Sequence, residues 1–430
     1  MTELATKALP TLAKVWGTVT GSDGTSARIT GLGGLAQLGD RIEIEAGSRL
    51  PGEIVATDPN GVTALLMAPA AGIATGQRAW LIGPGDAKPE DSWLGQVIDA
   101  FGRGAKRPPT MTTIPPTMLR ADQRRPLGPR INTGLGALDT FLPLARGQRL
   151  GVFAGSGVGK SRLLGDLALG VEADIVVAGL IGERSREVGD FVRLLRAEGG
   201  MDRCVVIAAT SDESALTKRR ASRLALATAE HFRDRGHQVL CLFDSVTRYA
   251  EAHREVALAA GEAPALRAFP PSTVQAIAGL CERAGPGTTE EQGDITAIFT
   301  VLVAGSDMEE PVADMVRGTL DGHVILDREI AERGRFPAID VRRSVSRSAP
   351  AAWTEEELGL AMNARRLLAA YEEAAPMIQA GLYAPGADAV LDAAVQVWPE
   401  LDAFIGSVVR PPDGASFARL ATILQKVPQV

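Results

Sequence analysis

Aromatic residues make up only 4% of this 430-residue sequence, and cysteine occurs three times. The shortage of rings argues against a base-stacking nucleic-acid platform. The net charge of −7 points the same way, because a dedicated nucleic-acid binder usually carries a strongly basic face. Cys204, Cys241 and Cys281 lie in apolar or helical surroundings and none has a CxxC partner. That pattern argues against a disulfide framework or a zinc site and suits a reducing cytoplasm. Residues 1–7 lack the apolar core of a signal peptide, and no apolar run approaches the length of a membrane span. Any membrane contact is therefore expected to be peripheral. Internal repeats and low-complexity tracts are also missing. The apolar share of 45% and the charged share of 23% are ordinary for a soluble globular chain. The length exceeds one typical core, so two or three domains are expected.

Three compositional regimes and a connector divide the chain. Residues 1–85 hold short β-type runs, such as Arg41-Ile42-Glu43-Ile44-Glu45, broken by turn signals such as Asp58-Pro59-Asn60-Gly61. Regularly spaced short strands of this kind suggest a small β-barrel. Residues 86–130 are rich in Pro, Gly and Arg and read as an irregular connector. From 131 to 348, β-type runs alternate with helical segments. Strands are expected at 175–180, 205–209, 239–243, 295–303 and 323–326, and helices at 187–197 and 213–234. Such alternation implies an α/β domain with a mainly parallel sheet covered on both faces. In residues 349–430 the strands stop. Thr354-Glu355-Glu356-Glu357 has the form of a capping box, a helix is expected to run from it to Ala375 with Pro376 interrupting it, and further helices are expected at 387–408 and 415–425. The last region reads as a small helical domain.

Residues 154–161 read Ala154-Gly155-Ser156-Gly157-Val158-Gly159-Lys160-Ser161. They follow the apolar run 149–153 and precede a helical pattern, the context a phosphate-binding loop requires. The glycines let successive backbone N–H groups turn inward around a polyphosphate, and the helix start adds a positive dipole end. Lys160 is placed to reach the terminal phosphates and Ser161 to ligate Mg²⁺. Ala154 stands where the general pattern has Gly. The competing reading, a glycine-rich turn that happens to hold a lysine, does not account for all eight positions. Binding and hydrolysis of a nucleoside triphosphate follow.

Three further segments carry chemistry. Residues 239–244 form an apolar strand ending in Asp244, the position from which a carboxylate orients the Mg²⁺ shell beside such a loop; a turn-forming Asp at a strand end is the alternative. Gly182-Glu183-Arg184-Ser185-Arg186-Glu187 follows the strand at 175–181 and puts carboxylates and guanidiniums at a strand's carboxyl end, where open α/β sheets bind ligands. A carboxylate there suits polarisation of an attacking water, and an acidic first helical turn explains the same residues equally well. Arg347 closes the α/β region; an Arg just past a strand can stabilise transition-state charge, but sequence physics alone favours a solvated residue at a domain boundary.

Taken together these stretches resemble the ATPases of flagellar and virulence type III protein export, a family related to the catalytic subunits of rotary ATP synthases. The resemblance covers residues 15–425. It is carried by residues 151–161, Gly179-Leu180-Ile181-Gly182-Glu183-Arg184, Asp244-Ser245-Val246-Thr247-Arg248-Tyr249-Ala250 and Phe336-Pro337-Ala338-Ile339-Asp340, with 254–262 and Asp321-Gly322-His323 in support. It implies that Glu183 activates the hydrolytic water, that Glu187 and Asp244 support Mg²⁺, and that Arg184 and Arg248 lie near the γ-phosphate. It implies that Phe336 faces adenine and that Arg347 is an arginine finger given in trans to the next subunit. A hexameric ring follows, with ATP and Mg²⁺ at each site. The chain departs from the family at Ser185, Ala263 and Ala268, where the family often has Gly, Pro and Gly; the last two fall in the segment that would line the central pore.

The resemblance further implies ATP-driven protein export, in which cargo is unfolded or released from export chaperones at a membrane export gate, with regulatory and stalk proteins as partners, no nucleic acid, and a cytoplasmic enzyme peripherally attached to the inner-membrane export apparatus. In the family, the arm before Val15 binds the regulatory partner; here that arm is short. The length and the Asp212-Glu213-Ser214 segment favour the flagellar branch over a virulence secretion ATPase. A rotary ATP synthase subunit fits the loop sequence less well. An RNA-translocating ring would need aromatic and basic residues in the N-terminal domain, and residues 15–83 hold no Phe or Tyr and few basic residues.

Overall fold

The computed structural model describes residues 15–68, 72–114, 119–265, 268–303, 308–410 and 412–427. The arm before Val15, to which partner binding was assigned, lies outside them.

Six antiparallel strands, β1 (Trp16–Ser22), β2 (Ser26–Thr30), β3 (Arg41–Ala46), β4 (Ser48–Asp58), β5 (Gly61–Leu66) and β6 (Arg78–Gly83), close into a barrel in the order β1-β2-β5-β4-β3-β6. The alternation read from sequence becomes its inside and outside: Ile42 and Ile44 of β3 point into a core with Ile29, Ile54 and Ala79, while Glu43 and Glu45 face out. Closure removes the exposed strand edges a small sheet would otherwise present.

The next domain is built on a sheet ordered β14-β13-β8-β12-β11-β9-β10-β7, where β7 is Val97–Asp99, β8 Arg149–Ala154, β9 Ile175–Glu183, β10 Cys204–Thr210, β11 Val239–Asp244, β12 Asp294–Leu302, β13 Gly322–Leu326 and β14 Ile339–Ser346. Every neighbouring pair in that order is parallel except β13 with β14. Strand β9 is buried along nearly its whole length, as a strand covered on both faces must be. Its residues divide between two cores. Val176, Ala178 and Leu180 meet helices α1 (Lys160–Gly170) and α2 (Ser185–Ala197), and Ile175, Val177 and Ile181 meet α3 (Ala215–Arg233) and α4 (Val246–Ala259).

Two elements differ from expectation. The stretch read as an irregular connector supplies the edge strand β7, whose three residues pair with Val206, Ile207 and Ala208. A run that short has no periodicity to detect; long-range pairing makes it a strand. The antiparallel β14 was also not among the expected strands; the exposed Arg342, Arg343 and Val345 interrupt its apolar run.

After the α5 helix (Ser272–Cys281) and α6 (Pro311–Thr319), the C-terminal helices are α7 (Glu355–Gln379), α8 (Ala389–Ile405) and α9 (Ser416–Leu424). The capping box at the start of α7 forms: Thr354 Oγ1 accepts from the Glu357 N–H at 3.2 Å and Glu357 accepts from the Thr354 N–H at 2.9 Å. Pro376 does not interrupt α7, which continues to Gln379 with the proline inside it. The missing N–H falls in the last turn, where little helix remains to be lost. Leu367, Leu368, Val397, Leu401 and Phe404 join the same core as Val176 and Leu180, so these helices pack directly on the nucleotide-binding sheet.

Barrel and sheet are joined through α3. Arg220, 1% exposed, pairs with Glu53 of β4 and with Asp86 at 3.1 Å; Arg219 reaches Glu53 at 3.1 Å and Arg223 reaches Asp86 at 2.9 Å.

Candidate functional site

The parallel sheet brings the carboxyl ends of β8, β9 and β11 together, and from them come the three charged groups at the centre of the site. Strand β8 runs into the loop 155–159, and Lys160 opens α1. The Lys160 ammonium donates to Glu183 Oε1 at 2.7 Å and to Asp244. The Thr300 hydroxyl of β12 donates to Asp244 from the other side at 2.5 Å. Their side chains are 10%, 12% and 4% exposed for Lys160, Glu183 and Asp244, so the charges interact with little solvent screening. Burial works against the Lys160 ammonium, but Asp244 and Glu183 outweigh it and hold its pKa above the ordinary lysine value.

Two glycines permit this geometry. Gly159, the residue before α1, has φ +87°, a conformation that costs a side-chain-bearing residue energy. A Cβ there would meet the Phe336 ring at 2.8 Å, so the ring of the residue assigned to adenine packs on the loop itself. Gly182 has φ +74°, and a Cβ there would strike the stem of Arg248 at 2.7 Å. The small residue in Gly182-Glu183 thus lets Arg248, from α4, lie across the end of β9.

Above these groups lies an open cleft of about 670 Å³. Ala154, Gly155, Ser156, Gly157, Gly159 and Ser161 form one wall, and Glu183, Arg184, Glu187 and Arg248 the other. Val158 turns inward and is buried at 2% exposure. Arg184 is exposed and, among the described residues, makes a long contact to Glu187 at 3.5 Å; Arg248 pairs with Glu251 at 2.8 Å. Thr300, Glu251 and Glu310 were not singled out from sequence. Glu251 follows Arg248 at helical spacing, a readable signal; Thr300 is a hydroxyl in an apolar strand; Glu310 is brought in by tertiary folding alone.

Arg347 stands apart. Strand β14 is antiparallel to its neighbour, so its end lies at the opposite end of the sheet from the loop: Arg347 N–H donates to the Asp321 carbonyl at 3.0 Å, and Asp321 N–H to that of Arg149, the first residue of β8, at 2.9 Å. The span of β8 between them is roughly 16 Å at ~3.3 Å per residue. Arg347 is exposed and does not reach the cleft of its own chain.

The donor set suits a hard cation. Ser161 and Asp244 offer oxygen ligands, and among the described residues no cluster of three or more His, Cys, Asp or Glu could hold a metal by itself. Mg²⁺ is typically bound in this way, through few protein oxygens with phosphate and water making up the rest. Ala268 has φ +71°, a left-handed conformation that glycine adopts without strain.

Residues 134–346 match the ATP synthase alpha/beta family nucleotide-binding domain, and residues 353–408 match the T3SS EscN ATPase C-terminal domain. The flagellum-specific ATP synthase of Caulobacter vibrioides is 42% identical over 94% of this chain and 96% of its own length. The SPI-2 type 3 secretion system ATPase of Salmonella typhimurium is 44% identical over 73% of each chain. Among solved structures, the assembled ATPase EscN of the enteropathogenic E. coli type III secretion system superposes with a TM-score of 0.85 at 36% identity, covering 95% of this chain and all of EscN. The two domain matches, and relatives 42% and 44% identical over 94% and 73% of the sequence, place this chain in the flagellar and type III secretion ATPase branch of the ATP synthase alpha/beta family.

Proposed function

We propose that this chain hydrolyses ATP to drive flagellar type III protein export, acting as a homo-oligomeric ring, expected to be a hexamer. The observation that carries the reading is the convergence of Lys160, Glu183 and Asp244 under a nucleotide-sized cleft at the carboxyl ends of three parallel strands. The backbone N–H groups of the loop cradle the phosphates, and Lys160 neutralises the charge of their terminal oxygens. Ser161 and Asp244 would hold Mg²⁺, with Glu187 supporting them. Bound there, the ion would supply charge neutralisation to the phosphates. Glu183 orients the water for in-line attack. Arg248 and Arg184 approach the γ-phosphate from the Glu183 wall, and Phe336 packs against the base.

Arg347 completes the site of the neighbouring subunit, which its position at the far end of the sheet supports. Stalk and regulatory proteins, chaperones and cargo are the remaining partners, and the enzyme works in the cytoplasm at the membrane export gate. The solved complex of EscN with its central stalk EscO supports the stalk contact.

Deleting the gene and assaying swimming and secreted flagellin tests the proposal. Filaments should vanish and return with the parent gene, and neither Lys160→Ala nor Glu183→Gln should restore them. Filaments that persist in the deletion would overturn the flagellar assignment and move the same chemistry to a virulence secretion system.

A further inference from the structure

A second cavity of about 370 Å³ adjoins the nucleotide cleft. The two share Gly182, Arg248 and Glu251 as lining, so the Arg248–Glu251 pair lies on the boundary between them. Its far wall comes from α3 and α4. Arg248, Glu251, Ala252 and Glu255 stand at helical spacings of three, four and seven and share one face of α4, and Ala215 with Lys218 faces them from the first turn of α3. Ala215 and Ala252 are buried at 5% and 3% exposure; larger side chains at either would fill the space. The cations on the wall are Lys218, Arg248 and Arg254, set against Glu251 and Glu255. Lys218 Nζ donates to the Ser211 carbonyl at 2.9 Å and Arg254 lies over the Phe269 ring at 5.1 Å, so both are held at the cavity by contacts other than an ion pair.

We propose that this cavity is an exit site for inorganic phosphate, distinct from the position of the γ-phosphate in the intact nucleotide. The inference rests on the ATP hydrolysis proposed above. The stem of Arg248 lies over Gly182, and its side chain, 42% exposed, pairs through the guanidinium with Glu251, itself 41% exposed. Such an exposed pair is weak, so rotation of the guanidinium alone carries it from one cavity to the other. Hydrolysis leaves a dianionic phosphate beside Arg248, no longer tied to ADP. Lys218 and Arg254 then offer the cationic surroundings that draw it through the partition, leaving ADP on the loop.

Inorganic phosphate itself is the probe. Steady-state ATPase of the full chain is measured against added phosphate and, separately, added ADP, at constant ionic strength. In the Lys218→Ala/Arg254→Ala variant, inhibition by phosphate should weaken about tenfold, the equivalent of ~1.4 kcal/mol, with the KM for ATP and inhibition by ADP unchanged. Ala252→Leu, which fills the cavity without touching a charge, should weaken phosphate inhibition likewise. Equal phosphate inhibition in the parent and in both variants, or none in the parent, would overturn the exit site. A parent chain that hydrolyses no ATP would instead refute the proposed function.

Discussion

The position of Arg347 makes a quantitative prediction about mixed rings. Arg347 sits at the level of Arg149, and Lys160 lies beyond the opposite end of the same strand. The separation along β8 alone is roughly 16 Å at ~3.3 Å per residue. An arginine side chain cannot bridge it, so the guanidinium either serves a neighbouring site or serves none. Removing an arginine finger lowers the rate by a factor on the order of 10³–10⁵. Arg347→Ala should therefore be nearly inactive, and so should Lys160→Ala. Co-expressing the two variants under different tags and purifying through both gives rings of mixed composition. In a random equimolar mixture half the sites keep Lys160, and half of those face an intact Arg347, so about a quarter of parental activity should return. The assay is phosphate production per site. A mixture no more active than its parts would refute in-trans completion, and full parental activity in Arg347→Ala alone would refute any role in catalysis.

Other consequences follow from the same contacts. Arg220→Ala leaves Glu53 buried without its main partner, and should destabilise the protein by about 3–5 kcal/mol in chemical denaturation, with barrel and sheet no longer unfolding together. Burial pushes the thiols of Cys204, Cys241 and Cys281 up to about 12, so an alkylating reagent at neutral pH should label none of them in the native state and all of them in denaturant; rapid native labelling would contradict the packing. Burial also lowers the pKa of His231, His253 and His323 below the ordinary histidine value. A depressed folded-state value means stability that is present above about pH 6.5 and is lost as the pH falls through the folded values. The melting temperature should thus decline on acidification from pH 6.5, and His253→Gln should flatten that decline; an unchanged slope would discount His253. Ala268→Gly relieves a left-handed conformation worth about 1–2 kcal/mol against a loss of about 0.4–1 kcal/mol through greater freedom of the unfolded chain, and a small rise in melting temperature should result.

The phosphate loop, the apolar strand ending in Asp244 and the carboxylate after β9 were legible from the sequence because each is a local pattern. Glycines at fixed spacing between strand and helix carry their own geometry, and continuous apolar runs declare strands buried on both faces. The barrel was legible from the alternation of Ile42, Glu43, Ile44 and Glu45, and the start of α7 from its capping box, since hydrogen bonds between residues three apart need no distant partner. Strand β7 was not legible, because three residues in a Pro- and Arg-rich stretch become a strand only when β10 offers an edge. Pro376 was misjudged because its effect depends on how much helix remains beyond it. Thr300 and Glu310 entered the site only through folding, having no sequence neighbour to announce them. The charged groups of the site, a lysine with several carboxylates and arginines, could be read from local motifs. Only the tertiary structure decided which arginine reaches the cleft of its own chain. Arg248 and Arg347 look alike in the sequence; the parallel path of β9 and β11 brings one to the cleft, while the antiparallel turn into β14 carries the other to the far end of the sheet.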